Sequence, residues 1–166
     1  MKLYFRDNFF SSGVTEILDE EQRAAGTLDL KSAFGSSIAV YGPGGELRAG
    51  GKFGTLSSKW RVYGSSEEEL GIVKARMSLF SKKFEYDAGH RGLYEIVSPA
   101  FSRTYEILDD QGRVAAIMDR IDSWFASAAF CLENQSDMLD TYELVSVIMG
   151  VNAIQKRRQN AASSPT

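Results

Sequence analysis

The sequence predicts a mainly β protein: a closed antiparallel barrel of about twelve strands, built from six hairpins, around a central hydrophobic helix at the C-terminus. Three observations carry that expectation. Turn-forming clusters recur on a steady beat, the runs between them alternate polar and apolar residues, and the most apolar stretch of the chain, YELVSVIMGVNAI at 142–154, follows a helix-start signature.

The turn clusters are DEEQR at 19–23, GPGGE at 42–46, SSEEE at 65–69, AGHRG at 88–92, DDQGR at 109–113 and ENQSD at 133–137, beginning 21 to 24 residues apart. A second marker keeps the same beat: Phe10, Phe34, Leu56, Phe80, Phe101 and Phe125, each followed by Ser, Gly or Ala. Runs such as SKKFEYD at 81–87 and SRTYEIL at 102–108 alternate with period two, so Phe84 shares a face with Tyr86 and Tyr105 with Ile107. Each unit therefore reads as a hairpin of two short strands, with Gly, Asp, Asn and Ser making the turn. Short connections favour a sequential up-and-down meander. A sheet of that size either leaves two open edges or closes, and closure removes the edges. A twelve-strand barrel is wider than its wall side chains alone can fill, so something has to occupy it.

The C-terminal segment supplies the filler. Asp140 can cap a helix, and Glu143, three residues later, can bond back to the cap's amide. Lys156, Arg157 and Arg158 stand where cations favour a helix C-terminus, which bounds the helix at about 141–158. Large apolar groups cover most of its circumference, the mark of a buried helix or a membrane span. Thirteen apolar-run residues rise only about 20 Å, short of a hydrocarbon core of roughly 30 Å, and Asn152 interrupts them, so burial in the barrel is the stronger reading. Ser146, Gly150 and Ala153 form a ridge of small residues suited to a close approach to the wall.

A chain of 166 residues with 25% charged and 43% hydrophobic residues is one ordinary globular domain. It reads as a domain over 1–158 and a polar disordered tail over 159–166. A net charge of −3 argues against a nucleic-acid partner. The lone Cys131 forbids an internal disulfide, and the start MKLYFRDNFF has no signal-peptide core, so a cytoplasmic protein is expected.

Catalytic chemistry is not visible. His90, the only histidine, lies in a turn with no nucleophile beside it, and Cys131 sits in a strand-like run between Phe130 and Leu132. One His and one Cys make no zinc set, the acidic clusters lack a calcium-loop pattern, and GELRAGGKF at 45–53 has the wrong Gly-to-Lys register for a phosphate loop. The expectation is no enzyme, no metal and no cofactor. One feature exceeds a bland surface. Lys59 and Arg61 alternate with Trp60 and Val62, Lys74 and Arg76 alternate with Val73 and Ala75, and Lys83 occupies the repeat position of Lys59. These five cations are expected on one outer surface, where like charges on neighbouring strands cost stability and an anionic partner would offset the cost. Glu67 to Glu69 and Glu85 are the residues that could neutralise it, leaving an ordinary solvated face.

The aromatic-small anchors Phe34-Gly35, Phe80-Ser81 and Phe101-Ser102, the Gly- or Asp-turned strand pairs, and a hydrophobic helix ending in Ala153-Ile154-Gln155-Lys156 resemble the LURP-one-related family over about residues 3–158. That family belongs with tubby C-terminal domains and phospholipid scramblases. The resemblance implies a closed twelve-strand barrel around a C-terminal helix. Tubby domains bind phosphoinositide headgroups through basic residues on the barrel exterior, and scramblases act at membranes with calcium implicated; the motifs shared here are structural and bring no ligand site with them. The expected function is a non-enzymatic binding module meeting an anionic ligand or phospholipid headgroup at Lys59, Arg61, Lys74, Arg76 and Lys83, without a transmembrane span and peripheral to the inner membrane face. Alternatives are a protein-interaction scaffold and scramblase-like lipid transport.

Overall fold

The structure is a computed structural model that describes residues 1–11, 13–31, 36–76, 83–98, 104–121 and 130–163. Twelve strands are described: β1 (Lys2–Phe5), β2 (Gly13–Leu18), β3 (Ala24–Leu30), β4 (Ser37–Tyr41), β5 (Leu47–Phe53), β6 (Trp60–Gly64), β7 (Glu69–Arg76), β8 (Lys83–Asp87), β9 (Leu93–Val97), β10 (Tyr105–Leu108), β11 (Val114–Arg120) and β12 (Phe130–Asn134); helix α1 (Thr141–Ser163) follows. All pairings are antiparallel between sequence neighbours, and β1 closes the barrel by pairing with β2, Tyr4 opposite Leu18, and with β12, Leu3 opposite Leu132. The predicted fold is the observed one.

Four of the turns share one geometry. The first residue's amide donates to the carbonyl four positions on, at 2.9 Å from Asp19 to Arg23, 2.8 Å from Gly42 to Glu46, 2.9 Å from Gly64 to Glu68 and 2.9 Å from Asp109 to Arg113. The fourth residue of each is left-handed: Gln22 at φ 61°, Gly45 at 81°, Glu67 at 60° and Gly112 at 75°. The register slips beside every one of them, so each is a short loop closed by a bulge. In DEEQR and DDQGR the acid serves the turn itself: Asp19 Oδ1 accepts from the Glu21 and Arg23 amides, and Asp109 Oδ1 from those of Gln111 and Arg113.

Two expectations are corrected. The sixth cluster, ENQSD, joins β12 to α1 rather than two strands, so the barrel consists of five hairpins plus the paired terminal strands β1 and β12. The helix also passes Arg158 and runs to Ser163, so 159–163 are not a disordered tail and no basic residue stands in the last turn. Ala161 and Ala162 are strong helix formers, and Ser163 Oγ donates to the Gln159 carbonyl at 2.9 Å, which holds the last turn together.

Inside the barrel, every residue of α1 from Thr141 to Val151 is buried, on all sides of the helix. The start is capped as expected: Asp140 Oδ1 accepts from the Tyr142 amide at 2.9 Å, and the Asp140 amide donates to Glu143 Oε2 at 3.4 Å. The small-residue ridge faces β5 and β6. Ser146 Oγ donates to the Gly50 carbonyl at 2.7 Å, and a Cβ on Gly150 would stand 2.4 Å from the Trp60 ring. Among the described residues no helix is long and apolar enough to cross a membrane. Where α1 leaves the barrel, Phe9 and Phe10 pack against Phe5 and Phe130, with ring centroids 4.3 Å apart for Phe5 and Phe9 and 5.4 Å for Phe10 and Phe130. Of the repeated anchors, Phe10 is buried and Leu56 is fully exposed; Phe34, Phe80, Phe101 and Phe125 lie outside the described residues.

Candidate functional site: a cationic cleft where the helix leaves the barrel

The outer face of β7, β8 and β9 carries three of the predicted cations, and it is an ion-pair network. Arg76 stands opposite Lys83, and Lys74 opposite Glu85. Lys74 Nζ lies 2.7 Å and Arg76 Nε 3.2 Å from the Glu85 carboxylate, while Lys83 Nζ lies 2.6 Å from Glu95. Glu85 is only 5% exposed although its strand position points outward, because the two cationic side chains cover it. Three cations share two carboxylates, which leaves this face close to neutral. Arg61 on β6 pairs with Glu69 at 3.4 Å. The cross-strand repulsion that suggested an anionic partner is thus met largely by carboxylates of the chain itself.

Lys59 belongs to a different group. It joins Lys74, Arg157 and Arg158 around a cleft of about 320 Å³ whose floor is Phe53, Ala75, Ile154 and Ala161. No acidic side chain is among the described residues that line it. Lys74 is shared with Glu85, whereas Lys59, Arg157 and Arg158 make no ion pair among the described residues. The local sequence explains the geometry. The β5–β6 connection folds back at Gly54, whose amide donates to the Lys59 carbonyl at 3.2 Å, and the Lys59 amide bonds to Ser57 Oγ at 3.0 Å. α1 supplies the opposite wall: Arg157 lies with its guanidinium 4.7 Å from the Phe53 ring centroid and donates from Nη1 to the Ser57 carbonyl at 3.0 Å. Lys156 anchors the other side of the helix by donating to the Phe10 carbonyl at 2.9 Å. A second, smaller cleft lies beyond Arg158, lined by Phe84, Gln155, Gln159 and Ala162. The arrangement can hold an anion against fixed cations with apolar surface beside it.

Sequence reasoning therefore found Lys59 and Lys74 and missed Arg157 and Arg158. Along the chain both arginines look like a helix terminus, and the partners of Arg157, Ser57 and Phe53, are about a hundred residues away in sequence.

At the opposite end, the helix start carries a buried polar cluster. Glu143, 1% exposed, accepts from Arg91 Nη1 at 2.7 Å and Nη2 at 2.8 Å, and also from the Tyr86 hydroxyl. Arg91 Nη2 also donates to the Leu70 carbonyl at 2.7 Å. Burial, with the Glu143 charge beside it, pushes the Tyr86 phenol far above its ordinary range, and the hydrogen bonds to Glu143 hold Arg91 protonated. With its lone pairs used by these donors and by the Asp140 amide, Glu143 fastens the helix to the wall. His90 is exposed in the turn Gly89–Arg91. Cys131 points outward from β12, half-buried, and burial raises its thiol pKa. Among the described residues no group of three or more His, Cys, Asp or Glu could hold a metal ion.

No family model matches the chain, and no curated protein matches it. The X-ray structure of a protein from Arabidopsis thaliana, AT5G01750, is similar in fold, with a TM-score of 0.62 at 16% identity over 91% of this chain and 90% of that one. The same closed barrel with one C-terminal helix thus spans nearly the whole of both chains.

Proposed function

We propose that this protein is a non-enzymatic binding module of the LURP-one-related, tubby-like kind that takes an anionic ligand, with a phospholipid headgroup as its foremost candidate. The supporting observation is the cleft of Lys59, Lys74, Arg157 and Arg158 over an apolar floor, where among the described residues only Lys74 has a carboxylate partner, Glu85. Lys59, Arg157 and Arg158 are exposed with no acid among the described lining residues, so they attract an anion from solution, and a phosphate or carboxylate with an apolar neighbour satisfies both halves of the site. Arg61, Arg76 and Lys83, already paired with Glu69, Glu85 and Glu95, contribute little to binding on this reading.

Sedimentation with vesicles of phosphatidylcholine with and without phosphatidylserine tests it. Lys59→Ala with Arg158→Ala should weaken binding to the anionic vesicles, by about fivefold per cation, and flatten its salt dependence. Arg76→Ala with Lys83→Ala should change it far less. Absence of wild-type binding at low salt sinks the proposal.

A second reading, a protein-interaction scaffold, draws on the other end of the barrel. There Leu93, Val114 and Met138, three of the exposed large apolar residues, line one cleft of about 570 Å³. It is favoured if a partner captured by the wild type is retained by the Lys59 and Arg158 variant and lost on Leu93→Asp.

A further inference from the structure

We infer that the end of the barrel from which α1 emerges is a membrane-facing surface, and that Leu56, at the tip of the β5–β6 connection, inserts its side chain between the headgroups of an anionic bilayer. The inference rests on the headgroup reading and adds what that reading lacks: an orientation and an inserting residue.

Leu56 is 102% exposed. One exposed leucine is ordinary, so exposure by itself decides nothing. Three further observations do. Leu56 has φ 55°, a left-handed conformation that costs a residue with a side chain roughly 1 kcal/mol or more and costs glycine nothing. Gly45 and Gly112 take the left-handed place in two of the hairpin turns and the polar Gln22 and Glu67 in two others; among the described residues Leu56 is the one large apolar side chain held in that backbone. Secondly, the loop is held firmly: the Ser57 amide donates to the Gly54 carbonyl at 3.1 Å, and Arg157 ties the Ser57 carbonyl to α1 at 3.0 Å. The tip is therefore presented by the barrel wall and the helix together, with its side chain turned away from both. Thirdly, its neighbours match the chemistry of an anionic surface, since Lys59 and Arg157 flank the loop and Arg158 lies on the far side of the cleft without an acid among the lining residues. An apolar tip ringed by cations fits the boundary between headgroup and acyl chain, and it fits a soluble anion poorly, because a free anion leaves the leucine in water.

The repeat pattern sharpens the point. Leu56 occupies the position at which Phe10 is buried against Phe9, Tyr105 and Phe130, and it is released outward instead.

The test uses three proteins and two probes. The proteins are wild type, Leu56→Gly and Leu56→Trp; the probes are phosphatidylcholine–phosphatidylserine vesicles and soluble inositol hexakisphosphate. Leu56→Gly should melt at or above the wild-type temperature, keep its affinity for the soluble anion and lose about tenfold in affinity for the vesicles. The added tryptophan of Leu56→Trp should shift its emission to the blue on vesicles and be quenched by brominated acyl chains. If Leu56→Gly binds vesicles as the wild type does, or the added tryptophan stays unquenched on bound vesicles, insertion is overturned while headgroup binding stands. If the wild type binds neither probe at low salt, both fall.

Discussion

Gly150 shows how one residue is decided by packing against propensity. In a helix, Gly→Ala gains about 1 kcal/mol of intrinsic preference. Here the new methyl would stand 2.4 Å from the ring of Trp60, which is itself 0% exposed and wedged against Gly51. Neither the closed wall nor the buried ring can yield cheaply, and overpacking of this kind costs about 1–3 kcal/mol. Gly150→Ala should therefore lower stability in urea unfolding; an increase would show that the helix sits less tightly than the geometry says. Glu143 is the second such residue. Glu143→Gln keeps the shape but leaves the Arg91 guanidinium without its carboxylate, at a cost of about 3 kcal/mol or more in the same measurement. Tyr86 adds a pH signature. A free tyrosine phenol titrates at about 10, and burial with the Glu143 charge beside it raises that of Tyr86 on folding. Below about pH 10 both states keep the proton and no stability depends on it. Above that the unfolded chain releases a proton that the folded one retains, so stability falls as pH rises, by up to about 1.4 kcal/mol per pH unit. Unfolding midpoints measured from pH 9 to 11 should decline for the wild type and decline less steeply for Tyr86→Phe.

At the scale of elements, α1 does two jobs along its length. From Thr141 to Ile154 nearly every residue is buried, with Asn152 half-buried, and the segment fills the barrel; from Lys156 to Ser163 every residue is exposed, and the helix serves the surface. Removing 140–166 strips the core of its filler and should yield an unfolded or aggregated chain by circular dichroism. Removing only 157–166 leaves the buried turns and the Lys156 tie to Phe10 in place; the barrel should fold, with binding to anionic vesicles lost along with Arg157 and Arg158. An unchanged affinity in that shorter chain would place the binding surface elsewhere. The hairpins also differ in how they make the same turn. Gly45 and Gly112 adopt the left-handed position freely, whereas Gln22 and Glu67 hold it under strain. Gln22→Gly and Glu67→Gly should each be stabilising or neutral, by up to about 1 kcal/mol, read as a rise in melting temperature.

For the whole molecule, the arrangement of charge says more than its sum. A net charge of −3 coexists with a cleft whose described lining has cations and no acid. The sequence by itself determined the topology, because turn chemistry and period-two alternation are local and repeat on one beat. Twelve strands then demanded closure and a filler, and Asp140 with Glu143 marked where that filler begins. It misplaced the sixth hairpin, since ENQSD is a turn in composition whether a strand or a helix follows it. It also ended the helix early at Lys156–Arg158, because cations near a terminus and cations on a protruding stretch look alike along a chain. Only the tertiary structure decided which cations have carboxylates. Register set Lys74 opposite Glu85 and brought Lys83 within reach of Glu95, while α1 carried Arg157 and Arg158 across the barrel to Lys59. Pairing of that kind depends on distances of a few ångströms between residues far apart in sequence, and alternation along a strand fixes the side a charge faces without fixing its neighbour.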